Sequence, residues 1–129
     1  MIGVLLALLG LELKHFLADY VFQTGRMIAE KGDLRRLGGY AHAGLHVLGS
    51  TIALAWLVPI NLAFLGVLAA EFIAHYTIDY IKVRRFQDVK ITEKPKLFWI
   101  LHGLDQFLHQ LTYLAMATYV VWAIGAVAG

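Results

Sequence analysis

The sequence predicts an all-α protein, an integral-membrane four-helix bundle, from its composition, its apolar segments and the distribution of its basic residues. Sixty per cent of the 129 residues are hydrophobic and 16% are charged, and the mean hydropathy is +0.68. Such a chain has too little polar surface to cover a fold in water, so a bilayer is the expected solvent. The absence of cysteine excludes disulfides and thiolate metal sites.

Four apolar segments are each long enough for a helix of roughly 20 residues to cross a ~30 Å hydrocarbon core. The predicted spans are 3–22, 40–58, 62–81 and 97–124. A short "VPIN" break at 58–61 separates the second and third spans, and polar connections occupy 23–39 and 82–96. The first segment lacks a basic start and a cleavage pattern, so it is expected to be a retained span. Residues 1–129 are therefore expected to form a single transmembrane domain.

The basic residues predict the orientation of these spans. Ten of the eleven Lys and Arg lie in the two long connections, and Lys14 is the exception. By the positive-inside rule both connections are cytoplasmic, and both termini face outward. The expected location is the bacterial cytoplasmic membrane, with a multi-pass topology. Lys82, Arg84 and Arg85 are placed to hold an anionic lipid headgroup, and no basic stripe with exposed aromatics indicates nucleic acid.

Each predicted span carries polar residues at helical spacing, and residues three or four apart share one face of a helix. The third span contains Glu71, His75 and Asp79 at steps of four, and the second contains His42 and His46. The other two stripes are Glu12, His15, Asp19 and Gln23 in the first span, and His102, Asp105 and His109 in the fourth. The predicted topology places all four stripes in the cytoplasmic half of the bilayer, where they can converge on one centre.

The buried carboxylates need a compensating positive charge. An ionised side chain at mid-bilayer costs ~2.5–3.5 kcal/mol, which applies to Asp19, Glu71, Asp79 and Asp105. Lys14 is the nearby fixed cation, but helical phase predicts that it points away from the stripe of its span. Protonation, histidinium pairing and bound metal remain as means of compensation.

The combination of imidazole and carboxylate groups favours a divalent-metal centre with two ions. These groups suit Zn²⁺ above all, with Fe²⁺ and Mn²⁺ as alternatives. Glu71 is the candidate catalytic base. The expected ligands are His15, Asp19, His42, His46, His75, Asp79, Asp105 and His109. The residues expected to orient them are Glu12, Gln23, Tyr76, Tyr80, His102 and Gln106.

Four short segments carry a resemblance to a known family: "KHFLADYVFQT", "HAGLH", "HYTIDYIK" and "DQFLHQLTY". They resemble the bacterial membrane family called domain of unknown function 3307 (DUF3307) over nearly the whole chain. Glu12 and Glu71 are not part of the matching pattern. The matching residues are His15, Asp19, Gln23, His42, His46, His75, Asp79, Lys82, Asp105, Gln106 and His109. The layout is also similar to small membrane-bound metal-dependent hydrolases, through its His/Asp pairs in short spans.

The leading functional hypothesis is a two-metal hydrolase acting on a lipid or amphiphile from the cytoplasmic leaflet. A di-iron oxidase or hydroxylase is an alternative, although the ExxH helices of ferritin-like sites are absent. A divalent-cation or proton transporter is another, but few polar residues continue toward the outer face. A polar core or proton path without metal also stays open, and haem ligation would leave the carboxylates unexplained. The expected partners are membrane lipids and a lipid-like substrate, and the sequence is compatible with a homo-oligomer.

Overall fold

A computed structural model describes residues 2–128, which form five α-helices and one π-helical segment. No strand occurs in this range, so the predicted all-α class is confirmed. The N-terminal elements are α1 (Ile2–Phe16), the π-helical segment that continues it (Leu17–Phe22) and the short α2 (Gly25–Glu30). The remaining helices are α3 (Leu37–Leu54), α4 (Leu62–Phe86) and α5 (Pro95–Ala128).

The four long helices pack side by side in a ring. Both α1 and α4 contact α3 and α5, while α2 packs on α3. Within the described part of the chain, α4 and the Pro95–Ala126 part of α5 are long and apolar enough to cross a membrane. The first predicted span is divided between α1 and the π-helical segment, and α3 includes two histidines among its 18 residues. Two of the four predicted spans therefore have the length and hydropathy of membrane helices.

The ends of two helices differ from the predicted spans for local reasons. Helix α3 ends at Leu54 rather than at 58, because Pro59 disfavours a helical conformation at the residue before it. Asn61 then caps α4, its side chain accepting a hydrogen bond from the Phe64 N–H at 3.0 Å. Helix α4 continues past 81 to Phe86 and carries Arg84 and Arg85 in its last turn. Positive charge there interacts favourably with the negative end of the helix dipole.

Helix α2 lies inside a predicted connection and caps the helix that follows it. The Glu30 carboxylate accepts one hydrogen bond from Arg26 Nε at 3.0 Å and one from the Gly38 N–H at 2.8 Å. The hydrogen bond from Arg26 lowers the pKa of Glu30. A Cβ at Gly38 would lie 2.7 Å from the Glu30 Cβ, so the close approach of α2 to α3 requires a glycine there.

The interior of the bundle is apolar at one end and polar at the other. The N-terminal halves of α1 and α4 and the C-terminal halves of α3 and α5 surround the apolar core. That core comprises Ala7, Leu11, Leu54, Val58, Phe64, Leu68, Tyr113, Met116, Val120 and Ala123. The buried polar side chains are Lys14, His15, His42, His46, Ser50, Glu71, His75, Asp79, Asp105 and His109. Such a set must find partners inside the protein.

Candidate metal centre

Each long helix delivers a pair of polar side chains to the polar half of the bundle at i, i+4 spacing. The pairs are His42 and His46 on α3, His75 and Asp79 on α4, Asp105 and His109 on α5, and His15 and Asp19 at the junction of α1 with the π-helical segment. All of them are buried except Asp19, which is partly buried. Six of the eight form two groups whose atoms lie within 4.8 Å of one another. His15 and Asp105 lie beside these groups.

The first group, here called the Asp19 group, contains Asp19, His42, His46 and His75. Asp19 Oδ1 lies 3.1 Å from His42 Nε2 and 3.0 Å from His46 Nε2. The rings of His46 and His75 are packed with their centroids 3.7 Å apart. Side chains from three elements thus meet around one carboxylate oxygen.

The second group, here called the Asp79 group, contains His75, Asp79 and His109, so that His75 belongs to both. Asp79 Oδ2 lies 3.5 Å from His75 Nε2 and 3.4 Å from His42 Nε2. Asp79 Oδ1 lies 3.9 Å from His109 Nε2. Since Asp79 contacts histidines of both groups, the two groups form one continuous cluster.

The unpartnered atoms of this cluster fit a metal site. Both ring nitrogens of His75, together with His42 Nδ1 and His109 Nε2, have no hydrogen-bond partner among the described residues. Buried polar atoms are normally hydrogen-bonded. Ligands at about 2.0–2.1 Å from a tetrahedral zinc ion lie roughly 3.3 Å apart, close to the spacings of 3.1–3.5 Å around His42 and His75. The donor set and its spacing are therefore compatible with a bound metal ion.

The orientation of His109 is set by its own helix. Its Nδ1–H donates a hydrogen bond to the Asp105 backbone carbonyl at 2.8 Å, which leaves the lone pair of Nε2 facing the cluster. Metal-binding histidines are commonly oriented by such a bond. Asp105 itself is held outside both groups, because its Oδ2 accepts hydrogen bonds from Lys82 at 2.7 Å and from Gln106 at 3.1 Å.

His15, a predicted ligand, has both of its nitrogens engaged. Its Nε2–H donates to Gln106 Oε1 at 2.9 Å, and its Nδ1 lies 2.8 Å from the Tyr113 hydroxyl. His15 Nε2 is also 3.4 Å from Asp19 Oδ2. In this arrangement His15 lies beside Asp19, and Gln106 orients the His15 ring.

Lys14 extends into the bundle interior, so the prediction that it points away from the polar stripe is wrong. Its side chain is 7% exposed and forms an ion pair with Glu71, and its Nζ lies 3.2 Å from His46 Nδ1. Ser50 donates to the same Glu71 oxygen at 2.7 Å. The flexible stem of Lys14 lies against Gly49, where a Cβ would come within 3.0 Å of the Lys14 Cβ. Helical phase did not predict this orientation, because it gives the direction of the Cβ and not the position of the ammonium group at the end of a flexible side chain.

A second lysine reaches the cluster from the connection after α2. Lys31 Nζ lies 2.7 Å from Asp79 Oδ2, and its side chain is 11% exposed. The positive-inside rule accounts for the location of Lys31 in a basic connection but not for this contact. The signal that could have found it is the glycine content of the connection, since glycines mark close backbone approach.

The comparison with protein-family models matches residues 4–128 to the family described as "Protein of unknown function (DUF3307)". The chain belongs to this family. No curated protein and no solved structure matches the chain. The resemblance inferred from the four motifs is thereby confirmed, and the residues of those motifs include all the members of both groups.

In this DUF3307 protein several other predicted residues lie outside the cluster. Tyr76 stacks on Tyr40 at 4.6 Å between centroids, with Tyr80 beyond it. His102 packs beside Phe98 and Trp99 instead of joining the other histidines. Three further placements complete the set: Glu12 accepts a hydrogen bond from Gln110, Gln23 donates one to the Asp19 carbonyl, and Arg84 and Arg85 are exposed.

Proposed function

We propose that the protein is a membrane-embedded metal-dependent hydrolase that acts on an amphiphilic, lipid-like substrate from the cytoplasmic leaflet. The observation that carries this proposal is the convergence of four histidine side chains on the carboxylates of Asp19 and Asp79. His42, His46 and His75 with Asp19 would hold one divalent ion. His75 or His109 with Asp79 would hold the second, with zinc the expected metal.

The residues around the two groups have distinct tasks in this proposal. Bound ions would activate water and polarise the scissile bond. His15 and Asp105 orient the ligands Asp19 and His109 through direct contacts. Glu71, the predicted general base, holds Lys14 beside His46 through Oε1, which also accepts a hydrogen bond from Ser50. Its Oε2 has no hydrogen-bond partner among the described residues.

A groove between α1 and α3 would accommodate the apolar tail of a substrate. Its volume is about 440 Å³, and its lining is apolar except for Lys14. Along the first helix it extends from Gly10 to Phe22, roughly 18 Å at 1.5 Å per residue, which is close to one leaflet of a ~30 Å hydrocarbon core. Ala18 and Leu45 line it, and each is the chain neighbour of a member of the Asp19 group. A tail in this groove would bring the head of an amphiphile close to the proposed metal centre.

Membrane insertion is supported by the outer surface of the bundle as well as by α4 and α5. Large apolar side chains are exposed on all four long helices, among them Leu5, Leu9, Ile52, Leu65, Ile73, Val121 and Trp122. In water such a surface would aggregate, whereas in a bilayer it contacts acyl chains. The proposed topology is multi-pass in the bacterial cytoplasmic membrane, with connections 23–39 and 82–96 in the cytoplasm. A transport path is less consistent with these features, because beyond Lys14 and Glu71 the described interior is apolar.

Zinc binding by the detergent-purified protein tests the metal centre. At saturating Zn²⁺ we expect two ions per chain, and His75→Ala is expected to abolish most binding because His75 belongs to both groups. The matched control is His102→Ala, which removes an imidazole outside the cluster and is expected to leave the zinc content unchanged. A wild-type protein without zinc, or equal losses in both variants, would refute the centre.

Lipid turnover tests the hydrolase assignment separately. Wild-type protein loaded with zinc and reconstituted in vesicles of bacterial total lipid is expected to release a hydrolysis product detectable by mass spectrometry. His75→Ala is expected to release none. If zinc binds as predicted but the lipid profiles of the two proteins are identical, the centre stands and the assignment as a lipid hydrolase is wrong.

A further inference from the structure

Lys31 lies beside the Asp79 group and forms an ion pair with the carboxylate of Asp79. We infer that its ammonium group competes with the metal ion of the Asp79 group, so that the centre binds one ion tightly and a second ion only against this built-in charge. The inference rests on the proposed metal centre. It adds that the two metal positions are unequal and names the residue responsible.

The contacts of Asp79 carry the argument. Its Oδ2 is 2.7 Å from Lys31 Nζ, 3.4 Å from His42 Nε2 and 3.5 Å from His75 Nε2. A metal ion bound to Asp79 and His75 would therefore lie within a few ångströms of a positive charge already paired with the same carboxylate. Like charges at that separation repel strongly in a buried site.

The Asp19 group lacks a competitor of this kind. Asp19 contacts His15, His42 and His46, and no lysine or arginine of residues 2–128 forms an ion pair with it. Lys14 approaches this group only from the far side of the His46 ring, at Nδ1. Its charge is also compensated by Glu71. The first ion is therefore expected to enter the Asp19 group.

The position of Lys31 is fixed by the backbone around it. A Cβ at Gly39 of α3 would lie 3.3 Å from the Lys31 Cα, and a Cβ at Gly32 would lie 2.8 Å from a methyl group of Val83 on α4. The turn that carries Lys31 is thus pressed between α3 and α4. Lysines in connections are almost always exposed. The packing of this turn instead leaves the Lys31 side chain 11% exposed and in contact with a proposed ligand.

Stepwise Zn²⁺ binding to the full chain, measured by competition with a chromophoric chelator, tests the inference. The wild-type protein is expected to bind a second ion at least about tenfold more weakly than the first. Lys31→Met is expected to tighten the second step by about tenfold or more, because the competing charge is gone. The control Lys90→Met removes the same charge from an exposed position and is expected to leave both steps unchanged.

Equal second-step affinities in the wild-type and Lys31→Met proteins would overturn the inference, as would the same shift in Lys90→Met. Absence of zinc from all three proteins would reject the metal centre itself, so the two failures are distinguishable. If Lys31→Met does not give a helical, monodisperse protein, Lys31→Gln removes the charge while keeping a polar side chain. The same shift is expected for it.

Discussion

Lys14 and Glu71 form their ion pair where the polar and apolar halves of the bundle meet. Glu71 is 1% exposed, Lys14 is 7% exposed, and the Lys14 Nζ also lies 4.3 Å from the centre of the Tyr113 ring. Removing one member of a buried pair leaves an uncompensated charge, whereas removing both is often tolerated. Loss of one member of the pair is therefore expected to destabilise the fold more than loss of both members.

Lys14→Met is expected to lower the free energy of unfolding by about 3–5 kcal/mol, because Glu71 would lose its buried partner. The double variant Lys14→Met/Glu71→Gln is expected to recover most of this loss. Denaturant unfolding in detergent measures both. Lys90→Met, which breaks an exposed pair with Glu93, serves as the control and should cost less than about 1 kcal/mol. A double variant as unstable as the single one would contradict the prediction.

Helix α2 provides a carboxylate that caps the N-terminus of α3, where no residue of α3 makes a side-chain cap. Arg36, the residue before α3, makes no side-chain cap, and Glu30 accepts the hydrogen bond of the Gly38 N–H instead. A negative charge at this position also favours the positive end of the α3 dipole. The short helix thus has a structural role within the connection 23–39.

Glu30 predicts a pH dependence of stability. Its pKa is lowered from the ordinary value of 4.5, first by the hydrogen bond from Arg26. A depressed carboxyl pKa adds stability that is fully present above about pH 4.5 and is lost as the pH falls through the lowered pKa. Glu30→Gln is expected to unfold at a lower temperature than wild type near neutral pH, and the gap should shrink in acid. A gap in thermal midpoint that stays constant down to acid pH would contradict this prediction.

The whole molecule has its connections at opposite ends of the bundle, which makes the proposed topology testable. The chain has no cysteine, so single cysteines can be introduced at Ile60, in the short loop before α4, and at Asp88, after α4. Both positions are exposed. With a membrane-impermeant thiol reagent, Ile60→Cys is expected to react in intact cells and Asp88→Cys only after permeabilisation. Equal labelling of both in intact cells would refute the proposed orientation.

The spacing of the candidate ligands along single helices was predictable, and their partners across helices were not. His75 and Asp79 are one helical turn apart, so their shared face follows from the 3.6-residue period. The inclusion of Lys31 depends on a turn after α2 that packs between α3 and α4. Hydropathy describes that turn only as a polar connection, so its packing between the two helices does not follow from hydropathy.

The sequence by itself determined the helical class, the family and the polar stripe on each long helix, because composition and periodicity are properties of one chain segment at a time. The tertiary structure decided which of those polar atoms meet. In it, both nitrogens of His15 have partners, Asp105 accepts a hydrogen bond from Lys82, and Lys14 forms an ion pair with Glu71. These outcomes depend on side chains from different helices at distances of about 3 Å. Local pattern carries no information on such distances, since they arise only when the helices pack.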